Sequence, residues 1–308
     1  MDKKIFCHKC NKYVELKIYK KNRKYIVKEC EYEILDTITI CKECGTEIFN
    51  KDEDSIILKE LNDRYRREHN LLLSEDIKRI RETYSLTQRE FSKLLGFGDV
   101  TISRYENGAI QDVANNELIE LCKIPGNVSR LSKKSNNKVP ESIKQKIDKF
   151  ISSIPTIFDI ANMFILRFWE NNKFLTNMKL QKLCYFYWAD LITANNKYLD
   201  IEFEAWVHGP VNNNLYHKYK IFGDKEIRVT QLEINEIETW KFDDESLDIF
   251  EKIMGMYGKY SATELRDISH EEYAWQEANP QGVYSRKIMD YKSVIEQRLY
   301  NCTYDFLP

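Results

Sequence analysis

Four cysteines near the start of the 308-residue chain constrain its fold more than any other feature. They form two C-x2-C pairs, Cys7 with Cys10 and Cys41 with Cys44, and thirty residues separate the pairs. Two such pairs supply four thiolates for one tetrahedral zinc ion, with each pair wrapping the ion in a knuckle. In a reducing compartment such as the cytosol, paired cysteines are expected to be metal ligands rather than disulfides. The spacing therefore predicts one structural Zn²⁺ per chain.

Other roles for these cysteines are less well supported. A redox-active pair would need a thioredoxin-like βαβ context, which the sequence does not show. A catalytic zinc needs an open coordination position, whereas four cysteines fill the tetrahedron. His8 and Cys30 remain as substitute ligands. We expect His8, inside a knuckle loop, to be solvated, and Cys30, in an alternating β-branched stretch, to be an ordinary strand residue.

Residues 87–108, TQREFSKLLGFGDVTISRYENG, predict a helix-turn-helix. Thr87 and Glu90 have the spacing of a capping box, which opens a helix over residues 88–95. A glycine ends that helix, and a second short helix follows over about residues 100–107, again closed by glycine. An ordinary helical hairpin in a core is the alternative, because paired helices with a glycine in the turn are common.

The second helix has the pattern of a recognition helix. Ile102 and Tyr105 turn inward, which leaves the other side chains to face DNA. Those outward residues are Val100, Thr101, Ser103, Arg104 and Asn107. With the Thr-Gln opening and the SRYENG closing, the segment resembles the lambda-repressor/Cro (Xre) class of DNA-binding domains. The resemblance implies that Gln88 holds a phosphate and that positions 99, 100 and 104 read bases.

Two of these base-reading positions depart from the usual polar residues. Asp99 would repel phosphate, and Val100 can touch only a thymine methyl group. Arg104 can reach a guanine with two hydrogen bonds, so it is the predicted specificity residue. Basic residues placed nearby are expected to add phosphate contacts. These are Arg64, Arg66, Arg67, Lys78, Arg79 and Arg81.

Composition and charge limit the remaining classes. The chain is 43% hydrophobic and 31% charged, which is typical of a soluble globular protein with two or three domains. The net charge is −2, so DNA binding must rely on local charge and on dimerisation over an inverted repeat. No apolar run approaches ~18 residues and no signal peptide is visible, so we expect a cytoplasmic protein without membrane contact.

The N-terminal part therefore combines a zinc module, a connector helix and a helix-turn-helix domain. Residues 1–54 are predicted as a small β-rich zinc-binding module, and residues 55–133 as a linker helix with a five-helix DNA-binding domain. This arrangement resembles the MqsA family of antitoxins over residues 1 to about 132. The resemblance implies a structural zinc and a homodimer that represses a double-stranded DNA operator. MqsA-type chains end there, whereas this chain continues.

The stretch SRLSKKSNNKVPESIKQK, residues 129–146, is polar and contains Pro140, which predicts a flexible linker, placed at residues 134–154. Residues 155–308 are predicted as a mostly α-helical domain with a short β element, so the fold class is mainly α and multidomain. Two signatures, MKLQKLCY at 178–185 and FEAWVHGPV at 203–211, precede Ser-His at 269–270 and Trp275. Together they resemble the Panacea domain, also called SocA-like, of bacterial and phage antitoxins. All five tryptophans fall in this part, which suggests one large aromatic core.

The combined resemblances predict an antitoxin of a type II toxin-antitoxin system that binds a cognate toxin through the C-terminal domain and autorepresses its operon. The candidate toxin contacts are Tyr185, Trp206 and His208, because they lie in the signatures. Trp206 is about as well explained as core, and His208 is better explained as a buried structural histidine. A regulator or proteolytic adaptor without a toxin is the alternative.

An enzyme is not predicted. No phosphate-binding glycine motif is present, and no serine or cysteine stands in a recognisable nucleophile motif. His270-Glu271 is followed by Ala274 where a zincin needs its second histidine.

Overall fold

The computed structural model describes residues 5–48, 51–134, 139–195, 199–235, 237, 241–283 and 285–304. The side chains of residues 51–54, 195 and 300–304 fall outside this description. The chain divides into two compact units. The first comprises Met1–Lys123 and Asn127–Asp148, and the second comprises Ile124–Gly126 and Lys149–Pro308.

The first unit opens with two antiparallel strand pairs. β1 (Ile5–Cys7) pairs with β2 (Lys12–Val14), and β3 (Leu16–Val27) pairs with β4 (Cys30–Cys41) along its whole length. β3 is exposed along most of its length, whereas β4 buries about every second side chain, as strand alternation requires. The predicted β-rich module is therefore confirmed, and Cys30 is the first residue of β4.

Six helices follow these strands along the chain. They are α1 (Lys51–Glu68), α2 (Ser74–Thr83), α3 (Gln88–Leu95), α4 (Thr101–Glu106), α5 (Val113–Leu121) and α6 (Pro125–Lys133). The capping box of Thr87 and Glu90 forms as predicted, and Gly96 ends α3 with a left-handed φ of 73°. Phe91, Leu94 and Ile102 are buried, which locks α4 onto α3. The helix-turn-helix geometry is therefore present.

Two of the six basic residues expected to reach phosphates are instead buried. The side chain of Arg66 donates hydrogen bonds to Asp63 at 2.7 Å, to Gln111 at 3.1 Å and to the carbonyl of Ala109 at 2.7 Å. Arg81 donates to the carbonyl of Leu86 at 2.7 Å and to a largely buried carboxylate in α4. Both arginines hold helices together, because a buried charge needs a full set of partners.

The predicted linker contains a helix. α7 (Glu141–Ser153) buries Ile143 and Ile147 on one face, and Lys146 lies 2.8 Å from the carboxylate of Glu90 in α3. Its apolar residues recur with helical spacing, which the polar residues before Pro140 obscure in the sequence. The second half of residues 134–154 is therefore ordered secondary structure, in contrast to the expected flexible linker.

The second unit is mostly helical. Its helices are α8 (Ile157–Glu170), α9 (Asn177–Asn195), α10 (Asn213–Tyr219), α11 (Gln231–Asn235), α12 (Asp244–Tyr257), α13 (Ala262–His270), α14 (Tyr273–Ala278) and α15 (Tyr291–Tyr304). A single 3-10 turn, Lys220–Phe222, follows α10. The short β element is a hairpin of β5 (Glu204–Trp206) and β6 (Gly209–Val211). The predicted class is confirmed.

Helix α9 is the centre of this unit. It packs against α8, α12, α13, α15 and β6, and its middle residues are buried on every side. The ring of Trp188 lies 5.1 Å from those of both Phe203 and Tyr291, which builds the expected aromatic core. Trp275 is also buried, but Trp169 is 41% exposed. Trp240 lies outside the described residues.

One stretch, residues 141–170, is long and apolar enough to cross a membrane by length and composition alone. It is not one continuous helix, because α7 ends at Ser153 and α8 begins only at Ile157, after Pro155. The apolar face of α8 is part of the core of the second unit. This stretch is therefore accounted for by the globular fold.

Candidate metal centre, recognition helix and C-terminal surface

The two cysteine pairs meet at one point. Cys7 and Cys41 each end a strand, Cys10 and Cys44 lie in the turns that follow, and the four Sγ atoms are within 4.8 Å of one another. The Sγ atoms of Cys7 and Cys44 are 3.6 Å apart, and those of Cys10 and Cys41 are 3.8 Å apart. His8 is exposed, and neither it nor Cys30 belongs to the cluster within the described residues.

These distances fit a tetrahedral metal. A Zn–S distance of ~2.3 Å places the corners of a tetrahedron ~3.8 Å apart. The backbone N–H of Cys44 donates to the Sγ of Cys41 at 3.4 Å, which is the support that a thiolate ligand needs. Gly45 has a φ of 68°, the left-handed backbone that closes this knuckle. Because four thiolates leave no open position, the cluster can hold a metal only in a structural role.

The recognition helix presents its predicted residues to solvent. Val100 is 64% exposed, Arg104 and Asn107 are exposed, and Thr101 and Ser103 are half-buried. The side chain of Asn107 donates to the carbonyl of Ser103 at 2.8 Å, so it also fixes the end of α4. The outward placement that base recognition requires is thus present, while contact with DNA stays a prediction.

The charge of Asp99 is compensated. Its carboxylate lies 2.7 Å from the guanidinium of Arg89, which is exposed on the first turn of α3. The pair brings a second arginine to the end of the recognition helix. The sequence interpretation considered Asp99 alone and missed Arg89, because the two are ten positions apart and meet only through the turn.

A hydrogen-bond network fixes the side chain of Gln88. Its amide nitrogen donates to Glu106 at 2.7 Å, and the same carboxylate accepts two hydrogen bonds from Arg81, at 2.6 Å and 3.0 Å. The amide of Gln88 is half-buried at the start of α3 and has a second N–H to donate. This network orients the side chain that the resemblance assigns to a phosphate.

The β-rich module adds a cation beside the second helix of the helix-turn-helix. Lys28, in the turn between β3 and β4, lines a depression of about 310 Å³ together with Arg104, Tyr105 and Asn115. No pattern in the sequence relates Lys28 to Arg104. The two residues come together only because the β3–β4 hairpin packs against α1. Lys28 is therefore a candidate phosphate contact that sequence reasoning missed.

The two C-terminal signatures pack against each other. Gln181 accepts a hydrogen bond from the backbone N–H of Asn212 at 2.9 Å, and the buried Nζ of Lys182 donates to the carbonyl of Pro210 at 2.8 Å. Gly209 has a φ of 85°, and a Cβ there would come within 2.4 Å of the hydroxyl of Ser269. These motifs therefore fix the hairpin onto α9, which is a structural role.

The three candidate toxin contacts differ in solvent exposure. Tyr185 is fully buried and donates to Glu272 at 2.5 Å, so it cannot touch a partner and that assignment is wrong. His208 is exposed, which contradicts the expected burial. Trp206 is half-buried, with its Nε1 donating to Glu204 at 2.6 Å and its ring 4.9 Å from that of Tyr216. Whether His208 or Trp206 contacts a toxin stays a prediction.

Comparison with known families agrees with this architecture. Residues 5–127 match the family model of the MqsA antitoxin component of bacterial toxin-antitoxin systems. Residues 180–276 match the model of the SocA-like antitoxin Panacea domain. No curated protein and no solved structure gave a match. Both models describe antitoxin families, which supports an antitoxin role for the chain.

The cysteine cluster generates the first prediction. Chelation, or the substitution Cys41→Ala, should unfold the β-rich module, because metal binding supplies on the order of 10 kcal/mol of folding free energy in small zinc domains. Metal analysis should give one zinc per chain. Tryptophan fluorescence should not change, since all five tryptophans lie between residues 169 and 275. Cys30→Ala is the matched control. A metal-free, fully folded module would contradict the assignment.

The second prediction concerns Lys182. Burial lowers the pKa of Lys182 to about 7, whereas the unfolded chain holds this proton up to about pH 10. The Lys182 site therefore binds more protons in the unfolded state, so unfolding of the second unit should cost more free energy as pH rises from about 7 to about 8. At higher pH the buried Cys184, whose pKa burial raises, opposes this rise because the unfolded chain loses that proton first. Urea midpoints followed by tryptophan fluorescence measure this. Lys182→Met should flatten the dependence, whereas the exposed control Lys220→Met should not. Equal slopes would show that Lys182 stays charged.

Proposed function

We propose that this chain, in which an MqsA-like antitoxin region precedes a Panacea antitoxin domain, neutralises a protein toxin through its second unit and represses its own operon through its first. The observation that carries the proposal is the division of the chain. The family matches at residues 5–127 and 180–276 fall almost wholly in different compact units. Each activity then has its own folded unit in a type II toxin-antitoxin system of the cytoplasm.

In this proposal Cys7, Cys10, Cys41 and Cys44 hold one structural Zn²⁺. The ion supplies the cross-link between β1 and β4 that a small module needs when its core is small. The buried residues of that core are few, namely Cys7, Val14 and Cys41. The metal serves DNA binding indirectly, because the β3–β4 hairpin that it fixes carries Lys28.

DNA recognition is assigned to α4 and its neighbours. We assign guanine reading to the exposed side chain of Arg104 and a phosphate contact to Gln88, whose amide Glu106 holds in place. Arg89 and Lys28 add positive charge. The net charge of the chain is only −2, so one copy gains little from phosphates. A homodimer on an inverted repeat doubles these contacts, and we assign that assembly to the repressor.

Toxin neutralisation is assigned to the second unit, because the model of the SocA-like antitoxin Panacea domain matches it at residues 180–276, while the helix-turn-helix lies in the first unit. The rival proposal is a regulator without a toxin, in which the second unit senses a ligand or presents proteins to a protease. A small neighbouring reading frame whose product stops growth, and is rescued by this chain, distinguishes the two. Neither proposal requires catalysis.

The third prediction separates the two kinds of DNA contact. Arg104→Ala should reduce discrimination between operator and unrelated DNA by ~1–3 kcal/mol, because a base contact is lost. Gln88→Ala should weaken binding to all sequences alike, because a phosphate contact is lost. Fluorescence anisotropy with both DNAs at fixed salt measures both effects. Equal affinity for a half-site and for the full inverted repeat would contradict the dimer.

The fourth prediction concerns toxin neutralisation. A fragment of residues 139–308 should restore growth to cells that express the neighbouring toxin, and a fragment of residues 1–153 should not. Both fragments keep α7 complete, so neither is cut inside a helix. The full chain with Cys41→Ala should also rescue, because the metal lies in the other unit. Rescue by residues 1–153 alone would place toxin binding in the MqsA-like region.

A further inference from the structure

A groove of about 310 Å³ runs along the second unit between the end of α8 and residues 226–229. Its floor is apolar, and its rim carries one exposed aromatic ring and two cations. The floor consists of Ile165, Phe168, Leu175 and Ile227, and the rim includes Trp169, Lys173 and Arg228. All of these residues belong to the second unit. The groove contains none of the signature residues that fix the β5–β6 hairpin.

Backbone hydrogen bonds join two segments that line the groove. The N–H of Ile227 donates to the carbonyl of Leu175 at 2.8 Å, and Thr176 forms an antiparallel bridge with Glu226. The two walls are therefore tied in register, while the side chains of Leu175 and Ile227 remain in the floor. A preformed groove binds with a smaller loss of conformational entropy than a surface that must order first.

Two large aromatic side chains stand exposed at this end of the unit. Trp169 is 41% exposed and the neighbouring Phe174 is 58% exposed. Trp206 also has an arginine beside it, but its indole N–H is bonded to Glu204, its ring contacts Tyr216, and the guanidinium of Arg286 already lies 5.4 Å from the ring centre. Exposed aromatic residues beside arginine have the composition of interface hot spots. The groove is thus better equipped than the Trp206 region to anchor a partner.

The charge at the rim is positive. Lys173 and Arg228 are exposed, and neither forms an ion pair with another described residue. Lys179 is not part of the lining, because its Nζ donates to the carbonyl of Gly258 at 3.0 Å and lies 4.8 Å from the ring of Phe168. Burial lowers the pKa of Lys179, and the charge of Lys173 lowers it further, so these cations repel one another. Glu226 is the carboxylate in the lining, which leaves an excess of positive charge.

We propose that this groove is the toxin-binding site, and that it receives an apolar side chain of the toxin flanked by one or more carboxylates. The inference rests on the proposed function, because it names the surface through which the second unit acts. An apolar anchor fits the floor, and adjacent carboxylates meet Lys173 and Arg228. A nucleic-acid ligand fits less well, since residues 134–308 carry four more acidic than basic residues.

The probe for the test is a random peptide library displayed against the full-length protein. Selected peptides should share an apolar residue next to Asp or Glu. The double variant Lys173→Glu/Arg228→Glu should weaken the selected peptides by about tenfold or more, because two attractive charges become repulsive. The control Lys220→Glu/Lys287→Glu changes two exposed cations outside the groove lining and should leave affinity within about twofold. An unchanged urea transition shows that both variants are folded.

Several outcomes would overturn the proposal. Peptides without an acidic preference, or equal affinity for both double variants, would remove the groove as an acidic-peptide site. Binding of a single-stranded oligonucleotide that Trp169→Ala abolishes would assign the surface to nucleic acid. Growth rescue by the groove variant, when residues 139–308 also rescue, would exclude the groove but leave the proposed function intact. Failure of residues 139–308 to rescue would count against the proposed function itself.

Discussion

The β-rich module at the start of the first unit depends on the meeting of four thiol groups, because the apolar core around them is too small to hold its strands alone. Among the described residues, three buried side chains form that core, and two of them are the candidate ligands Cys7 and Cys41. The metal ion that we assign to this point would tie β1 to the end of β4 and so fix the base of the β3–β4 hairpin. The far end of the same hairpin buries Val27 and Tyr32 against Leu61 of α1 and carries Lys28 to the recognition helix. The surface that we assign to DNA is therefore continuous with the metal centre through one hairpin.

The second unit is held together in a different way, by the burial of α9. Its aromatic and aliphatic side chains fill the space between four helices and the β5–β6 hairpin, so this unit needs no metal for its core. The signature residues Gln181, Lys182 and Gly209 close the contact between α9 and the hairpin. Because these residues hold α9 and the hairpin together, they are poor candidates for contacts with a partner. A binding surface is expected where apolar and charged groups remain uncovered, as they do along the groove between Trp169 and Arg228.

The sequence predicts those features that depend on short spacings. The C-x2-C pairs, the capping box of Thr87 and the outward face of α4 were all predictable, because local geometry decides them. Arg66 was misassigned because its burial depends on Gln111 and Ala109, more than forty positions along the chain. Tyr185 was misassigned for a similar reason. A sequence motif shows which residue types it contains, but it does not show which of their side chains are buried. The groove was not predictable, because its walls come from segments that only the fold of the second unit brings together.

The central claim is that the toxin binds the second unit while the first unit remains available for DNA. Hydrogen–deuterium exchange of the full-length protein, with and without the product of the neighbouring toxin gene, tests it most directly. The account predicts added protection within residues 157–304, strongest at 165–176 and 226–229, with the exchange of residues 88–107 unchanged. Protection confined to residues 5–134 would contradict it, because the toxin would then bind the MqsA-like region and the second unit would need another role.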